Sequence, residues 1–209
     1  MRLLNIQASP RGTRSVSIAL STAFLEAFQD SNPAVEIDTL NVWDANLPEF
    51  DHEAIGAKYK GVSKERMNDA ETRVWESIQS LARRFQAADR ILLGVPMWNF
   101  AYPYKLKHLI DLACQRDFLF TFDGKTYGPL VRADKAFAIF VRGQSEESGF
   151  GALRSPGFEH LTQYLEFWLR FIGVREVASM TVEHTWDSRA TDAVAPGNVQ
   201  AAAAAACDF

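Results

Sequence analysis

Cysteine is scarce in this chain: two among 209 residues, Cys114 and Cys207. They lie far apart, so the sequence has no disulfide framework and no Cys-x-x-Cys pair. That usage suits a reducing compartment. Cys114 falls in an apolar helical pattern, where a free cysteine acts as a small packed hydrophobe. Histidine is also sparse. His52, His108, His160 and His184 are scattered, and none has a second ligand at i+4, so no zinc motif is present. No uninterrupted apolar stretch reaches the length of a bilayer core. The run from Met1 to Gln7 is too short for a signal-peptide core. The expected location is the cytoplasm, without membrane contact. The net charge is −4 and the pI near 5.6. With no basic stripe, nucleic acid is not an expected partner.

Two phosphate motifs are missing as well. There is no Gly-x-Gly-x-x-Gly, which disfavours a dinucleotide diphosphate, and no Gly-Lys-Ser/Thr, which disfavours a nucleoside triphosphate. What is present is an ordinary soluble composition, 47% hydrophobic and 23% charged, in a length that suits one α/β domain.

Strand and helix patterns alternate along the chain. Leu3–Ile6 reads as a doubly buried strand, and Ser15–Phe28 as a helix stopped at Asn32-Pro33. Val35–Leu40 reads as a strand. Trp43–Asn68 is irregular, with a short helix near Asp51–Tyr59. Ala70–Ala87 is strongly amphipathic, with Val74, Ile78, Leu81, Ala82 and Phe85 on one side. Arg90–Val95 is a fully apolar strand. Pro103–Cys114 is a helix opened by proline. Phe118–Gly128 is a hairpin or flap around Asp123-Gly124. Lys135–Val141 is a strand, Arg142–Gly157 a polar loop, Phe158–Ile172 an aromatic-rich helix, and Val174–Val182 the last strand. The Ala201–Ala206 run has helix propensity but little to pack, so residues 185–209 are expected as a terminal helix or a frayed tail. Alternating strands and helices predict one domain of the α/β class: a doubly wound, five-stranded parallel sheet with helices on both faces.

In such a sheet, ligands bind at the carboxyl ends of the strands, where the strand order switches. The loop after the first strand carries Ser9, Ser15 and Ser17, with Arg11 and Arg14, and opens a helix. A helix N-terminus binds a single phosphate well, although serine is also a common N-cap. The loop after the third strand, Met97-Trp98-Asn99-Phe100, puts aromatic groups where polar turn residues are usual. It suits a flat heteroaromatic ligand or, alternatively, caps the core. The loop after the fourth long strand offers Val141, Arg142, Gly143 and Gln144. Gly143 permits close backbone approach, and an N–H or Arg142 suits developing negative charge.

The serine loop, Pro96-Met97-Trp98-Asn99-Phe100, the flap from Phe122-Asp123-Gly124 to Gly128-Pro129-Leu130, Arg142-Gly143 and Leu169–Gly173 together resemble the FMN-dependent NADH:quinone oxidoreductase and azoreductase family, within the flavodoxin-like superfamily. The resemblance runs from Leu3 to about Val182. It implies that Ser9, Ser15, Val16 and Ser17 hold the FMN phosphate. Met97–Phe100 would pack on the isoalloxazine, and Val141–Gln144 would line its pyrimidine side. It also implies a homodimer in which the partner's flap, through residues such as Phe120 and Phe122, covers the flavin. Trp168, Phe167 and Phe171 are a candidate dimer face. His184 and Trp186, just past the last strand, are further candidates for the cleft. The family often has Ser-Arg-Gly-Gly where this chain reads Val141-Arg142-Gly143-Gln144, and glutamine where it has Val16.

The implied activity is two-electron transfer from NADH or NADPH to quinone or azo acceptors by a ping-pong mechanism. The flavin carries the chemistry, so no catalytic side chain is required. The alternatives are a flavodoxin-like electron carrier, an NAD(P)H:FMN reductase without a dedicated quinone or azo substrate, and a hydrolase using Ser9.

Overall fold

The computed structural model describes residues 1–145, 160–186 and 194–209. The elements in chain order are β1 (Arg2–Gln7), α1 (Val16–Ser31), β2 (Glu36–Asn41), α2 (His52–Ser63), α3 (Asp69–Gln86), β3 (Arg90–Pro96), α4 (Tyr104–Ala113), β4 (Phe120–Phe122), β5 (Tyr127–Pro129), β6 (Lys135–Val141), α5 (Leu161–Ile172), β7 (Glu176–Val182) and α6 (Pro196–Cys207). Five strands pair in parallel in the order β2-β1-β3-β6-β7, and β4 and β5 form a separate antiparallel hairpin. This is the flavodoxin-like arrangement expected from the alternation of patterns. The order reverses at β1, which pairs with both β2 and β3, so a crevice opens between the loops that follow β1 and β3.

Period-2 alternation divides the core into two layers. Leu4, Ile6, Ile91, Leu93, Ala136, Ala138 and Phe140 face one way, toward Ile78, Ala82 and Phe85 of α3, Leu106 and Leu109 of α4, and Leu165, Trp168 and Leu169 of α5. Leu3, Leu92, Phe137, Ile139, Val141 and Val182 face the other way, toward Leu20, Phe24 and Phe28 of α1 and Ala202 and Ala206 of α6. Both faces of the central strands are therefore apolar, as a doubly covered parallel sheet requires.

Local signals explain the helix ends. Asp51 caps α2 by accepting from the N–H groups of Glu53 and Ala54. Asn68 and Glu71 form a reciprocal capping box at α3. Gly94 on β3 is the point of closest approach of α1: a Cβ there would lie 2.6 Å from Ser21 Oγ and 3.1 Å from the Ser17 carbonyl oxygen.

The tail corrects one expectation. The alanine run is not short of partners, because small side chains let α6 lie close against α1, with Ala202 and Ala206 fully buried. Phe209 then inserts edge-on against Phe24 and Phe28, at ring-centroid distances of 5.1 and 5.5 Å. His160 precedes α5 rather than lying within it. Trp168 is core, packed edge-on to Phe85, and is not part of an exposed face. The expected polar loop beyond Ser145, the predicted helix start at Phe158 and the start of the tail, 187–193, lie outside the described residues. Among the described residues, no helix is long and apolar enough to cross a membrane, and no group of three or more His, Cys, Asp or Glu side chains is placed to hold a metal.

Candidate functional site

The crevice at the reversal of strand order is a cleft of about 120 Å³ built from four loops. The loop after β1 supplies its polar wall. Ala8 N–H donates to the Gly94 carbonyl at 3.0 Å and holds this loop to the end of β3. A short 3₁₀ turn at Gly12–Arg14 then brings Ser15 into the N-cap of α1, where its Oγ accepts from Ile18 N–H at 3.4 Å. Ser15 Oγ and Ser17 Oγ lie 3.1 Å apart. Ser9 Oγ accepts from Arg11 N–H at 3.4 Å.

Ser9, Ser15 and Ser17 are buried to 1%, 4% and 1% exposure, yet all line the cleft together with Arg11 and Val16. Buried hydroxyls grouped at a helix N-terminus, where N–H groups are left unpaired, make an anion cradle. The first turn of α1 has no acidic residue to compete for it.

The loop after β3 forms the second wall. Met97 N–H donates to the Val141 carbonyl at 2.7 Å, which fixes this loop to the end of β6. Trp98 and Ala101 exchange N–H···O=C bonds of 2.8 and 3.0 Å, and the two residues between them, Asn99 and Phe100, have φ of 46° and 69°. Two successive left-handed residues give the turn that closes a hairpin tightly. Asparagine tolerates this conformation. An aromatic residue rarely adopts it, and strain of this kind costs on the order of 1–3 kcal/mol and concentrates at functional sites. The turn leaves Trp98 and Phe100 partly exposed beside the cleft.

Sequence reasoning missed the brace behind this wall. Trp43, placed in an irregular stretch, packs against Trp98 (ring centroids 5.5 Å apart) and Tyr104 (5.4 Å). Its indole Nε1–H donates to the Ala8 carbonyl at 2.9 Å. Trp43 thereby joins the serine loop to the aromatic loop. Its position directly after β2, at the same end of the sheet, was the signal available.

The loops after β6 and β7 make the third wall. Thr185 donates to the Arg142 carbonyl through both N–H (3.3 Å) and Oγ1 (3.2 Å), and Trp186 N–H donates to the Gly143 carbonyl at 3.3 Å. Val141, Gly143, Thr185 and Trp186 line the cleft. His184, at φ 62°, turns the chain so that this segment folds back over β6.

With this geometry in place, comparison with known proteins is direct. A family model described as flavodoxin-like fold matches residues 1–206. The chain belongs to that family. It is 58% identical, over 99% of both chains, to a Burkholderia lata protein named FMN-dependent NADH:quinone oxidoreductase 2. It is 41% identical, over 88% of both, to another from that organism named FMN-dependent NADH:quinone oxidoreductase 9. Among solved structures, it resembles a FMN-dependent NADH-azoreductase from Bacillus anthracis in complex with FMN, with TM-score 0.86, 23% identity, and coverage of 99% of this chain and 98% of the other. At that identity, the likeness speaks for the fold.

For this flavodoxin-like chain, the structure gathers Ser9, Ser15, Val16, Ser17, Met97, Trp98, Val141, Gly143 and Trp186 around one cleft. Asn99, Phe100, Arg142, Gln144 and His184 flank it in the chain but are not among its lining residues. Arg142 departs from expectation most clearly. Its guanidinium is held by Glu183, with Nε 2.9 Å from Oε1, so its charge is paired between the ends of β6 and β7. Phe120 and Phe122 belong to the β4–β5 hairpin. Within one chain they lie elsewhere: Phe120 lines a second, aromatic hollow of about 460 Å³ with Phe50, Tyr127, Tyr164, Phe167 and Phe171, and Phe122 packs on Tyr127 with ring centroids 4.7 Å apart. Cys114 opens onto the same hollow. Burial pushes its thiol pKa up, which keeps it protonated and unsuited to nucleophilic work. Burial raises the Tyr102 and Tyr164 hydroxyls in the same way, and their two rings stack 4.7 Å apart.

Proposed function

We propose that the chain is an FMN-dependent oxidoreductase that takes two electrons from NADH or NADPH and delivers them to quinone and azo acceptors. The observation that carries this reading is the juxtaposition, across one cleft, of the buried hydroxyls of Ser9, Ser15 and Ser17 with Met97 and Trp98, which lead into the strained turn at Asn99-Phe100. The names of the full-length relatives support it.

The residue types present fit the cofactor, and the cleft of about 120 Å³ must widen to hold it. Ser9, Ser15 and Ser17 with the first N–H groups of α1 offer donors for one phosphate, and Arg11 adds charge. Met97–Phe100 present main-chain groups and apolar faces to a planar ring. The N–H groups of Gly143 and Gln144 would serve the ring's pyrimidine edge, because the Arg142 N–H already donates to the Val182 carbonyl at 2.9 Å. The Arg142 side chain stays with Glu183 and holds that main chain in position. When bound, FMN supplies hydride acceptance and two-electron release. The protein would bind it, orient it and present one opening to both substrates, so the nicotinamide leaves before the acceptor enters. No side chain is needed as nucleophile; among the described residues, Ser9 Oγ meets the Arg11 N–H and no histidine.

The chain works as a single domain, with its C-terminal helix α6 packed onto α1. The assembly we infer is a homodimer in the cytoplasm. Support for the dimer comes from the aromatic hairpin face: Tyr127 and Phe167 are 61% and 63% exposed beside Phe120, Phe122 and Phe171. A second copy would bury this face and bring Phe120 and Phe122 to the partner's cleft.

The decisive experiment is FMN titration followed by anaerobic NADH or NADPH addition, with a quinone and an azo dye as separate acceptors. The reading requires saturable flavin binding, bleaching by a nicotinamide and reoxidation by the acceptor. Absence of flavin binding sinks it, and reduction without reoxidation by either acceptor favours an electron carrier or FMN reductase. Sedimentation analysis tests the dimer.

A further inference from the structure

The glycine at 143 is not required by its backbone angle, because it is absent from the residues with positive φ. Its lack of a side chain is needed for another reason. A Cβ built there would lie 2.2 Å from Trp186 Cδ2 and 2.6 Å from both Cγ and Cε2. Near-equal distances to three atoms of the five-membered ring mean that the face of the indole lies flat on Gly143. The Trp186 backbone is tied to the same residue by its N–H···O=C bond of 3.3 Å. Thr185 and Glu183 hold the preceding residue, Arg142, through its carbonyl and its guanidinium. The position of the indole is therefore specified from several sides.

That placement is unusual for a side chain that remains 77% exposed. A large apolar ring held over a loop in water gains little from folding, because most of its surface stays wet. It does line the cleft together with the three serines. The cleft volume of about 120 Å³ is below the range of about 300–1,000 Å³ usual for small-molecule sites. The indole is one of the walls that closes it down.

We propose that Trp186 is a cofactor-retaining residue: its indole, seated on Gly143, forms a wall against which the bound flavin is held, and it slows release of FMN. The inference rests on the FMN reading above and assigns to the cofactor a residue that the sequence suggests only as part of the substrate cleft. The Gly143 main chain marks where the ring edge would lie, and Trp186 shields it from solvent, which strengthens the Gly143 N–H as a donor toward the cofactor.

The test is a double-mutant cycle on FMN binding, read by the dissociation constant and by the rate of flavin release after dilution. Trp186→Ala is expected to weaken FMN binding about tenfold, mostly through faster release, while the melting temperature of the apoprotein stays unchanged because the ring is exposed. Gly143→Ala is expected to produce a similar loss, because its methyl displaces the indole. Adding Gly143→Ala to Trp186→Ala is expected to cost nothing more. Wild-type release kinetics in Trp186→Ala overturn the proposal, and so do fully additive losses, since Gly143 would then serve the cofactor on its own account. Failure of the wild-type chain to bind FMN overturns the underlying reading instead, so the two failures are distinct.

Discussion

The two ends of the parallel sheet obey opposite rules. At the amino ends of the strands, charges neutralise one another. Arg2 meets Asp38 and Glu36, Arg84 meets Asp38, Arg90 and Arg175 meet Asp134, and Lys135 meets Glu176. Phe209 closes this end, accepting from Arg90 Nε–H at 2.8 Å through its carbonyl, with the guanidinium 5.9 Å from its ring. At the carboxyl ends, Arg142 meets Glu183, but three hydroxyls are buried around a cleft that Arg11 also lines, two adjacent residues are strained, and indoles stand partly in water. One end spends its polar groups on itself, and the other holds them ready for something else. The contrast predicts that substitutions at the carboxyl end change ligand binding with little effect on folding, while those at the amino end do the reverse.

The largest break in that contrast is expected from Ser9→Ala combined with Ser17→Ala. Losing two hydrogen bonds to a charged phosphate, at about 1.5–3 kcal/mol each, weakens FMN binding at least a hundredfold in a fluorescence titration. The apoprotein should melt within a few degrees of wild type. Ser15→Ala sharpens the comparison, because Ser15 also caps α1: its loss costs about 1 kcal/mol of stability in addition to affinity.

Next comes Phe209→Ala at the opposite end. It removes two edge-on aromatic contacts and a cation–π contact and leaves a partial cavity against Phe24 and Phe28. A loss of about 2 kcal/mol is expected in denaturant unfolding, with FMN affinity unchanged in the folded protein.

A smaller effect follows from Asp38→Asn, about 1 kcal/mol, and it depends on pH. Burial raises the Asp38 carboxyl pKa, but hydrogen bonds and charge from Arg84 and Arg2 outweigh this and set it below the ordinary value. Its contribution is therefore complete above the unfolded carboxyl value of about 3.9 and is lost as pH falls through the folded value. Wild type and Asp38→Asn should converge in stability on acidification below about pH 4. A constant difference down to pH 2 would break the assignment.

The smallest is Phe100→Gly. It relieves the left-handed strain and should stabilise the apoprotein by about 0.5 kcal/mol after the entropic cost of glycine, while weakening FMN binding. Destabilisation would show that the Phe100 ring contributes more than the strain costs.

Much of this was legible in the sequence. Apolar runs at Leu3–Ile6, Arg90–Val95 and Lys135–Val141, each followed by a break, specify buried parallel strands, because only a sheet covered on both faces makes such runs favourable. The serine loop and Met97–Phe100 were legible as candidate sites because hydroxyls or aromatics at strand ends serve no strand. The packing of α6 was not, since an alanine run signals helix but says nothing about where a flat surface waits for it. Trp43 was hidden by its irregular neighbours.

The sequence by itself determined the order of the strands and helices, the end of the sheet where the proposed site lies and the residue types gathered there, because these follow from local periodicity and from the rule of strand carboxyl ends. Tertiary structure alone decided that Arg142 is committed to Glu183, that Gly143 lies under an indole and that Trp43 links two loops. Those contacts join residues 35 to 55 positions apart in the chain, and no local pattern encodes a distance closed only when the strands pair.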